Sequence, residues 1–380
     1  MDRKKILISI DWFLPGTNSG GPVRSYINMI HHLGSYHDFY IMTRDTDYCS
    51  DVVYPTVKSN AWNQIDAHTN VYYFSNDQLN IKNITKVITE YDFDVVYING
   101  MYSWYFSIIP LWLMRAQKNV IIAARGMLNT QAFSVKKRKK QFFLKIANWL
   151  KLYKNVTFHA TNEDESKQID KHIDYYNNIL IAPNLPRKNE GENIEKKKLS
   201  EVTTFVNIAR ISIEKGTLKM IEAFKNVDRT VQLDIYGQIY DEDYWNRCQS
   251  VMEKLPAHVD IKYKGVLPSE EVLQTLTKYN YFILLSEGEN FGHAILEGLM
   301  AGCPVIISEN TPWKNLEQKK IGWDVSTELP ENIANTIEQA STMSGEDYQI
   351  WSQNAIKFSK EFSNNPELIR LNLALFSELK

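Results

Sequence analysis

The sequence predicts an α/β protein made of two doubly wound domains in series. Three observations lead there. Short β-branched or aromatic runs, bounded by polar residues or Gly, alternate with helical patterns along the chain. The alternation lapses once, at Arg187–Ser200, and then restarts. The length of 380 residues accommodates two or three domains, at ~100–200 residues each.

The first strand series reads Ile6–Ile10, Phe39–Met42, Val71–Phe74, Val95–Ile98, Val120–Ala123, Thr157–His159 and Ile179–Ile181. Helical stretches such as Val23–Leu33 and Ile81–Tyr91 lie between them. Apolar strands separated by helices are covered on both faces, which means a parallel sheet in a βαβ array. Arg187–Ser200 holds one Ile and one Leu among charges, Asn and Gly, and reads as a solvated linker. The second series is Thr203–Ile208, Val231–Tyr236, Asp260–Tyr263, Tyr281–Leu285 and Pro304–Ile307. The tail, Ser344–Lys380, is helical in pattern; Asn364-Asn365-Pro366 breaks it, and Leu368–Leu379 forms a last amphipathic helix. The expected division is 1–186, a linker at 187–200, and 201–365. Two such domains facing each other enclose a central cleft. Ligands of open parallel sheets sit beyond the carboxyl ends of the strands, so the loops there carry the chemistry.

Composition narrows the function classes. The 43 basic and 45 acidic side chains leave a net charge of −2, and 44% of residues are hydrophobic. A near-neutral chain weighs against a dedicated nucleic-acid binder. The 16 Phe, 9 Trp and 21 Tyr exclude wholesale disorder. Cys49, Cys248 and Cys303 are widely spaced and odd in number, so they read as reduced buried thiols rather than a disulfide framework or a metal site. The apolar run after Met1–Lys5 ends at Asp11, too short for a signal segment, and nowhere do ~18 apolar residues run uninterrupted. The expectation is a cytoplasmic protein, or one peripheral on a membrane.

Three loops stand out. Asp11–Pro22 contains Gly20-Gly21, which lets the backbone approach a ligand ahead of a helix N-terminus that favours anions. It is neither a dinucleotide fingerprint nor a P-loop. Ala209–Gly216 places Arg210 and Lys215 at the start of a helix, where cations oppose the dipole unless both face a shared anion. A diphosphate is the natural one, since Arg binds it through paired hydrogen bonds and Lys as a point charge. Leu284–Leu299 contains Glu289 in a Gly-bearing loop and Glu297 in the apolar helix after it. Carboxylates there accept hydrogen bonds from sugar hydroxyls, and the amides of Asn290–Gly292 suit a phosphate.

The pair Glu289 and Glu297, with Phe291-Gly292 between and Ala301-Gly302-Cys303-Pro304-Val305 behind, resembles the signature of the family-four retaining nucleotide-sugar glycosyltransferases. Ala209-Arg210 with Glu214-Lys215-Gly216 matches that family's diphosphate loop. Pro15 with Gly20-Gly21 matches its N-terminal glycine loop, and Ile181-Ala182-Pro183-Asn184 its interdomain segment. Ser286–His293, with Thr311-Pro312-Trp313 later, is similar to members that build bacterial surface and capsular polysaccharides or lipopolysaccharide.

The resemblance implies a GT-B fold, with an acceptor-binding domain at 1–186 and a donor-binding one at 201–365, and with the helix 366–380 returning to the first. It implies that Arg210 and Lys215 neutralise the donor diphosphate and that Glu297 binds the ribose hydroxyls. Glu289 contacts the transferred sugar, beside the amides of Asn290, Phe291 and Gly292. Gly237, Gly265 and Val266 match the family's base-binding region. His293 is a candidate contact to sugar or phosphate. The family's N-domain His is missing: Val95–Ile98 leads into Asn99-Gly100-Met101-Tyr102, while Arg125-Gly126-Met127-Leu128 is similar to a subgroup. Asn99 and Arg125 are the candidates for acceptor or sugar contact. Stabilising a departing diphosphate with fixed cations and amides requires no metal or other cofactor. Retention is explained by same-face attack, with the donor phosphate helping to deprotonate the acceptor.

Three Asp-x-Asp runs bear on a metal site. Asp92–Asp94 reads as a strand lead-in and Asp241–Asp243 as helix-opening acids, which leaves Asp45–Asp47. Residues 136–154 carry eight basic and no acidic residues, with Phe142, Ile146, Trp149, Leu150 and Tyr153 at helical spacing. That combination suits peripheral contact with an anionic membrane. The expected activity is hexosyl transfer from a nucleotide sugar to a glycan or polyprenyl-linked acceptor, on the inner face of the cytoplasmic membrane. The alternatives are another GT-B enzyme, such as a nucleotide-sugar epimerase, or a non-catalytic nucleotide-sugar binder.

Overall fold

The computed structural model describes residues 3–116, 119–129, 137–188, 196 and 202–377. The chain divides into two compact units, Met1–Lys188 with Asn365–Lys380, and Asn189–Asn364. Most of the expected linker, 189–195 and 197–200, lies outside the described residues. No helix among the described residues is long and apolar enough to cross a membrane.

The first unit holds strands β1 (Lys5–Ser9), β2 (Asp38–Arg44), β3 (Trp62–Asp66), β4 (Thr69–Phe74), β5 (Val95–Asn99), β6 (Asn119–Ala123), β7 (Val156–Ala160) and β8 (Asn178–Ile181). Their spatial order is β3-β4-β2-β1-β5-β6-β7-β8. All pairs are parallel except β3 with β4. β3 carries no strand signal in the sequence. Three of its five residues are polar and three are exposed, so this edge strand lacks the continuous apolar signal of its neighbours. Helices α1 (Gly21–Leu33), α2 (Ile81–Glu90), α3 (Ile109–Met114), α4 (Lys137–Trp149) and α5 (Glu163–His172) connect the strands. Side chains of Asn80 and Asn162 cap α2 and α5 by accepting from the amides of Asn83 and Glu165.

The C-terminal helix, Pro366–Ser377, belongs to this unit. The Phe376 ring is buried and lies edge-on to His37, Phe39 and Tyr97, with centroids 5.6, 6.4 and 5.9 Å away. Asn372 Nδ2 donates to the Pro183 carbonyl at 2.9 Å, and Lys4 Nζ to the Phe376 carbonyl at 2.5 Å.

The second unit holds β9 (Thr203–Ile208), β10 (Val231–Tyr236), β11 (Val259–Tyr263), β12 (Tyr281–Leu284), β13 (Val305–Ser308) and β14 (Gly322–Val325). They form one parallel sheet in the order β11-β10-β9-β12-β13-β14. The short strand β14 opens on Gly and likewise carries no strand signal in the sequence. Its helices are α6 (Thr217–Ala223), α7 (Glu242–Met252), α8 (Val272–Leu276), α9 (His293–Met300), α10 (Pro330–Thr342) and α11 (Gly345–Ser363). In each sheet the strand order reverses beside the first strand: β1 lies between β2 and β5, and β9 between β10 and β12. The loops leaving β1 and β9 therefore sit at the switch points where such sheets bind ligands.

Candidate active site

In the second unit, the loop leaving β9 is pressed between two neighbouring loops. The amides of Ala209 and Ile211 donate to the carbonyls of Tyr236 and Gln238 at 3.0 Å each. The approach is so close that a Cβ on Gly237 would lie 1.7 Å from the Ala209 oxygen. Ile213–Lys215 then make one 3₁₀ turn, ended by Gly216 at φ 68°. A Cβ on Gly216 would meet the Leu285 carbonyl at 2.1 Å, so glycine is required both by conformation and by contact with the end of β12.

This packing brings Lys215 and Glu289 together. Lys215 Nζ lies 2.6 Å from Glu289 Oε1, with the side chains 19% and 12% exposed. The buried Ser286 hydroxyl donates to the same carboxylate oxygen at 2.6 Å. Two further links join the same loops: the Glu287 amide donates to the Glu214 carbonyl at 2.9 Å, and Lys219 Nζ approaches Glu287 Oε1 at 3.3 Å. Arg210 Nη2 stands 3.5 Å from Glu214 Oε1, more exposed to solvent. Lys219 carries no spacing signal in the sequence, and Ser286 is legible there only as the first residue of the Ser286–His293 run.

The loop 290–292 is shaped from behind. Trp313 Nε1 donates to the Phe291 carbonyl at 2.6 Å, and the Phe291 ring packs on those of His293 and Trp313 at 4.7 and 5.7 Å. Phe291 is buried, and the Trp313 indole holds its carbonyl. Gly292, at φ 80°, precedes α9, on which Glu297 is buried. The candidate base region also converges. Tyr263 donates its hydroxyl to the Gly237 carbonyl at 2.8 Å, and the Gly237 amide donates to Gly265 at 2.9 Å. Val266 beside them is 51% exposed, an apolar surface on which a flat ring can lie.

In the first unit, Gly20 and Gly21 open α1, and a Cβ at either would meet nothing within 4 Å. The loop ahead of them is held by Asp47: its Oδ2 accepts from the amides of Thr17 and Asn18 at 3.0 and 3.2 Å, and its Oδ1 from Tyr48 at 2.7 Å. Asp45 accepts from the Ser59 hydroxyl at 2.7 Å. These carboxylates are thus engaged by the chain itself. Among the described residues no three His, Cys, Asp or Glu side chains gather as a metal site. Asp94 accepts from the Lys5 amide, and Asp241 caps α7 by accepting from Tyr244. Asp11, at the end of β1, accepts from Ser103 Oγ at 2.7 Å, and burial raises its pKa.

Asn99 is buried, and its Oδ1 has no hydrogen-bond partner. Arg125, at φ 51°, turns inward. Its guanidinium lies 4.7 Å from the Tyr26 ring centroid, donates to Asn184 Oδ1, and reaches the Tyr97 hydroxyl at 3.4 Å. Tyr97 in turn bonds His159, whose Nε2 contacts the Ala182 carbonyl at 2.7 Å. Burial first, and the Arg125 charge second, push His159 down to a pKa of about 3. Arg125 therefore clamps the Pro183-Asn184 segment in this structure, while Gly20, Gly21 and Asn99 stand at the ligand end of their sheet.

These features define a class, a protein of two Rossmann-like α/β domains with ligand loops at the switch points of their sheets. Residues 189–358, within the second unit, match the family model described as glycosyl transferases group 1. Serotype-specific mannosyltransferase WbdA of Escherichia coli is 26% identical over 145 residues, which are 37% of this chain and 17% of that protein. The GDP-mannose:cellobiosyl-diphosphopolyprenol alpha-mannosyltransferase of Xanthomonas oryzae pv. oryzae is 23% identical over 232 residues, 59% of this chain and 58% of that one. The chain thus spans only part of the curated relatives it matches. Among solved structures, Anabaena Alr3699/HepE in complex with UDP and glucose aligns with a TM-score of 0.69 at 15% identity, covering 99% of both chains. WaaG, a glycosyltransferase involved in lipopolysaccharide biosynthesis, aligns with a TM-score of 0.66 at 12% identity, again over 99% of both. These likenesses show the fold: two Rossmann-like domains of GT-B type.

Proposed function

We propose that this chain is a retaining, metal-independent hexosyltransferase that moves a sugar from a nucleoside-diphosphate donor to a glycan or polyprenyl-linked acceptor in bacterial surface-polysaccharide assembly. The observation that carries the reading is the Lys215–Glu289 ion pair, which joins the loops that leave β9 and β12, with Arg210 on the first of those loops. Leaving-group departure places negative charge on the diphosphate. Arg210, Lys215 and the amides of Asn290, Phe291 and Gly292 are fixed donors for that charge, and preorganised donors lower the barrier without reorganising. Glu297 takes the ribose hydroxyls, and Gly237, Gly265 and Val266 take the base. Asn99 and the Gly20-Gly21 backbone serve the acceptor side. Mannosyl relatives and a UDP-bound neighbour support a nucleotide-sugar donor.

The α4 surface supports a membrane-bound acceptor. Arg138, Lys139 and Lys145 are exposed beside exposed Phe142, Ile146 and Trp149. An anionic leaflet attracts the cations while the rings enter the headgroup layer.

The test is sugar transfer from GDP-mannose and UDP-glucose with EDTA present, read as release of nucleoside diphosphate. Lys215→Ala is expected to lower kcat at least ~100-fold, on the scale of losing one charge-stabilising donor. Full activity in that variant, or strict dependence on a divalent ion, overturns the assignment.

A further inference from the structure

The cation expected to hold the diphosphate is paired with a carboxylate of the chain itself. Glu289 Oε1 sits 2.6 Å from Lys215 Nζ, and both side chains are largely withdrawn from solvent. Ser286 Oγ donates to that same oxygen from a fully buried position, so the carboxylate is held against Lys215 from its own loop. A phosphate oxygen and a carboxylate oxygen compete for one ammonium group. Lys215 has three donor protons, yet two anions on one partly buried charge repel each other.

We propose that Glu289 is an exchangeable counterion that lets the site tell a nucleotide sugar from a bare nucleoside diphosphate. Diphosphate binding displaces Glu289 from Lys215. A donor gives the released carboxylate sugar hydroxyls to accept from, so the lost ion pair is replaced. A bare diphosphate offers no hydroxyl there, and Glu289 remains as an unmatched charge beside the phosphates. The pair therefore weakens product relative to donor, and Ser286 is a positioning residue that acts through Glu289. This rests on the donor-site reading above and adds a specificity role to it.

Calorimetric titration of the full chain tests it, with GDP, UDP, GDP-mannose and UDP-glucose as probes. In Glu289→Gln the nucleoside diphosphate that wild type recognises is expected to bind about tenfold tighter, and its sugar conjugate no tighter than wild type, so the donor's advantage over product collapses. Ser286→Ala, which leaves the charge but frees its orientation, is expected to tighten the diphosphate about threefold without abolishing transfer. A merely structural Ser286 would not move that product-to-donor affinity ratio. Unchanged or weaker diphosphate binding in both variants, with thermal melting as in wild type, overturns the exchange and leaves the donor site standing. Failure of wild type to bind any of the four probes overturns the donor-site reading itself, and the exchange with it.

Discussion

His159 shows how a single residue is fixed by its neighbours. Its Nε2 faces the Ala182 carbonyl, which only accepts, so that nitrogen carries the proton and Nδ1 receives the Tyr97 hydroxyl. A second proton would place a buried cation away from solvent and beside Arg125, and burial first, with the Arg125 charge second, holds the folded pKa near 3. An unfolded His titrates at about 6.5. The unfolded state binds more protons between these values, so the contribution is complete above about pH 6.5 and is lost as pH falls toward 3. Urea unfolding at pH 4.5 is expected to show the first unit ~2–3 kcal/mol less stable than at pH 7 from this residue. In His159→Gln that share of the acid loss should vanish; an unchanged pH dependence would refute the mechanism. Nothing in the sequence marks His159, because its role comes from β6, β7 and the segment after β8 lying side by side. Arg125 is similar: its Arg-Gly-Met-Leu context was legible, but its inward turn at φ 51° was not. Lys215 and Glu289 differ because they lie in loops whose glycines announce close packing. Their residue types pointed to one ligand, although the 2.6 Å contact between them did not show.

At the scale of elements, parallel central strands were legible because burial on both faces leaves continuous apolar runs. Of the four edge strands β8 and β11 were legible, but β3, mostly polar, and β14, four residues that open on Gly, were not. Helix α4 corrects one detail. Phe142, Ile146, Trp149 and Leu150 are exposed, but Tyr153 is buried against Phe158. The cause is Lys151 at φ 49°, which turns the chain after the helix and sends Leu152 and Tyr153 inward. The helix buries Leu144 and Ala147 instead, and Phe143 packs on Tyr102. Its outer face is thus aromatic and cationic without serving the core. Co-sedimentation with vesicles containing phosphatidylglycerol is expected to fall about a hundredfold in affinity when Arg138, Lys139 and Lys145 become Gln, at ~1 kcal/mol per charge. Trp149→Ala should weaken it further by removing interfacial apolar area. Binding that ignores both changes would leave the acceptor without a membrane route through this helix.

For the whole molecule, the decisive feature is that the chain completes its first unit last. Residues 365–380 join Met1–Lys188 after the whole second unit has been built. The apolar pattern of this helix was visible in the sequence, but its target depends on contacts more than 180 residues away, such as Asn372 with Pro183, |i−j| of 189. Phe376 is its anchor: fully buried, in edge contact with rings from β2, β5 and the residue before β2. Truncating a buried Phe leaves a cavity that costs ~3–5 kcal/mol. A mean long-range closure of this kind makes the first unit's stability depend on the far terminus, while the second unit keeps its own core around Phe205, Tyr281 and Ile306. In Phe376→Ala, urea unfolding followed by probes in each unit should therefore separate into two transitions, the first moved to lower denaturant and the second unmoved. Nucleoside diphosphate affinity, which the proposal assigns wholly to the second unit, should stay within about twofold of wild type, within the usual independence of distant sites. A joint shift of both transitions would mean that the two units share their cooperativity, and the donor site would then report on the C-terminal helix as well.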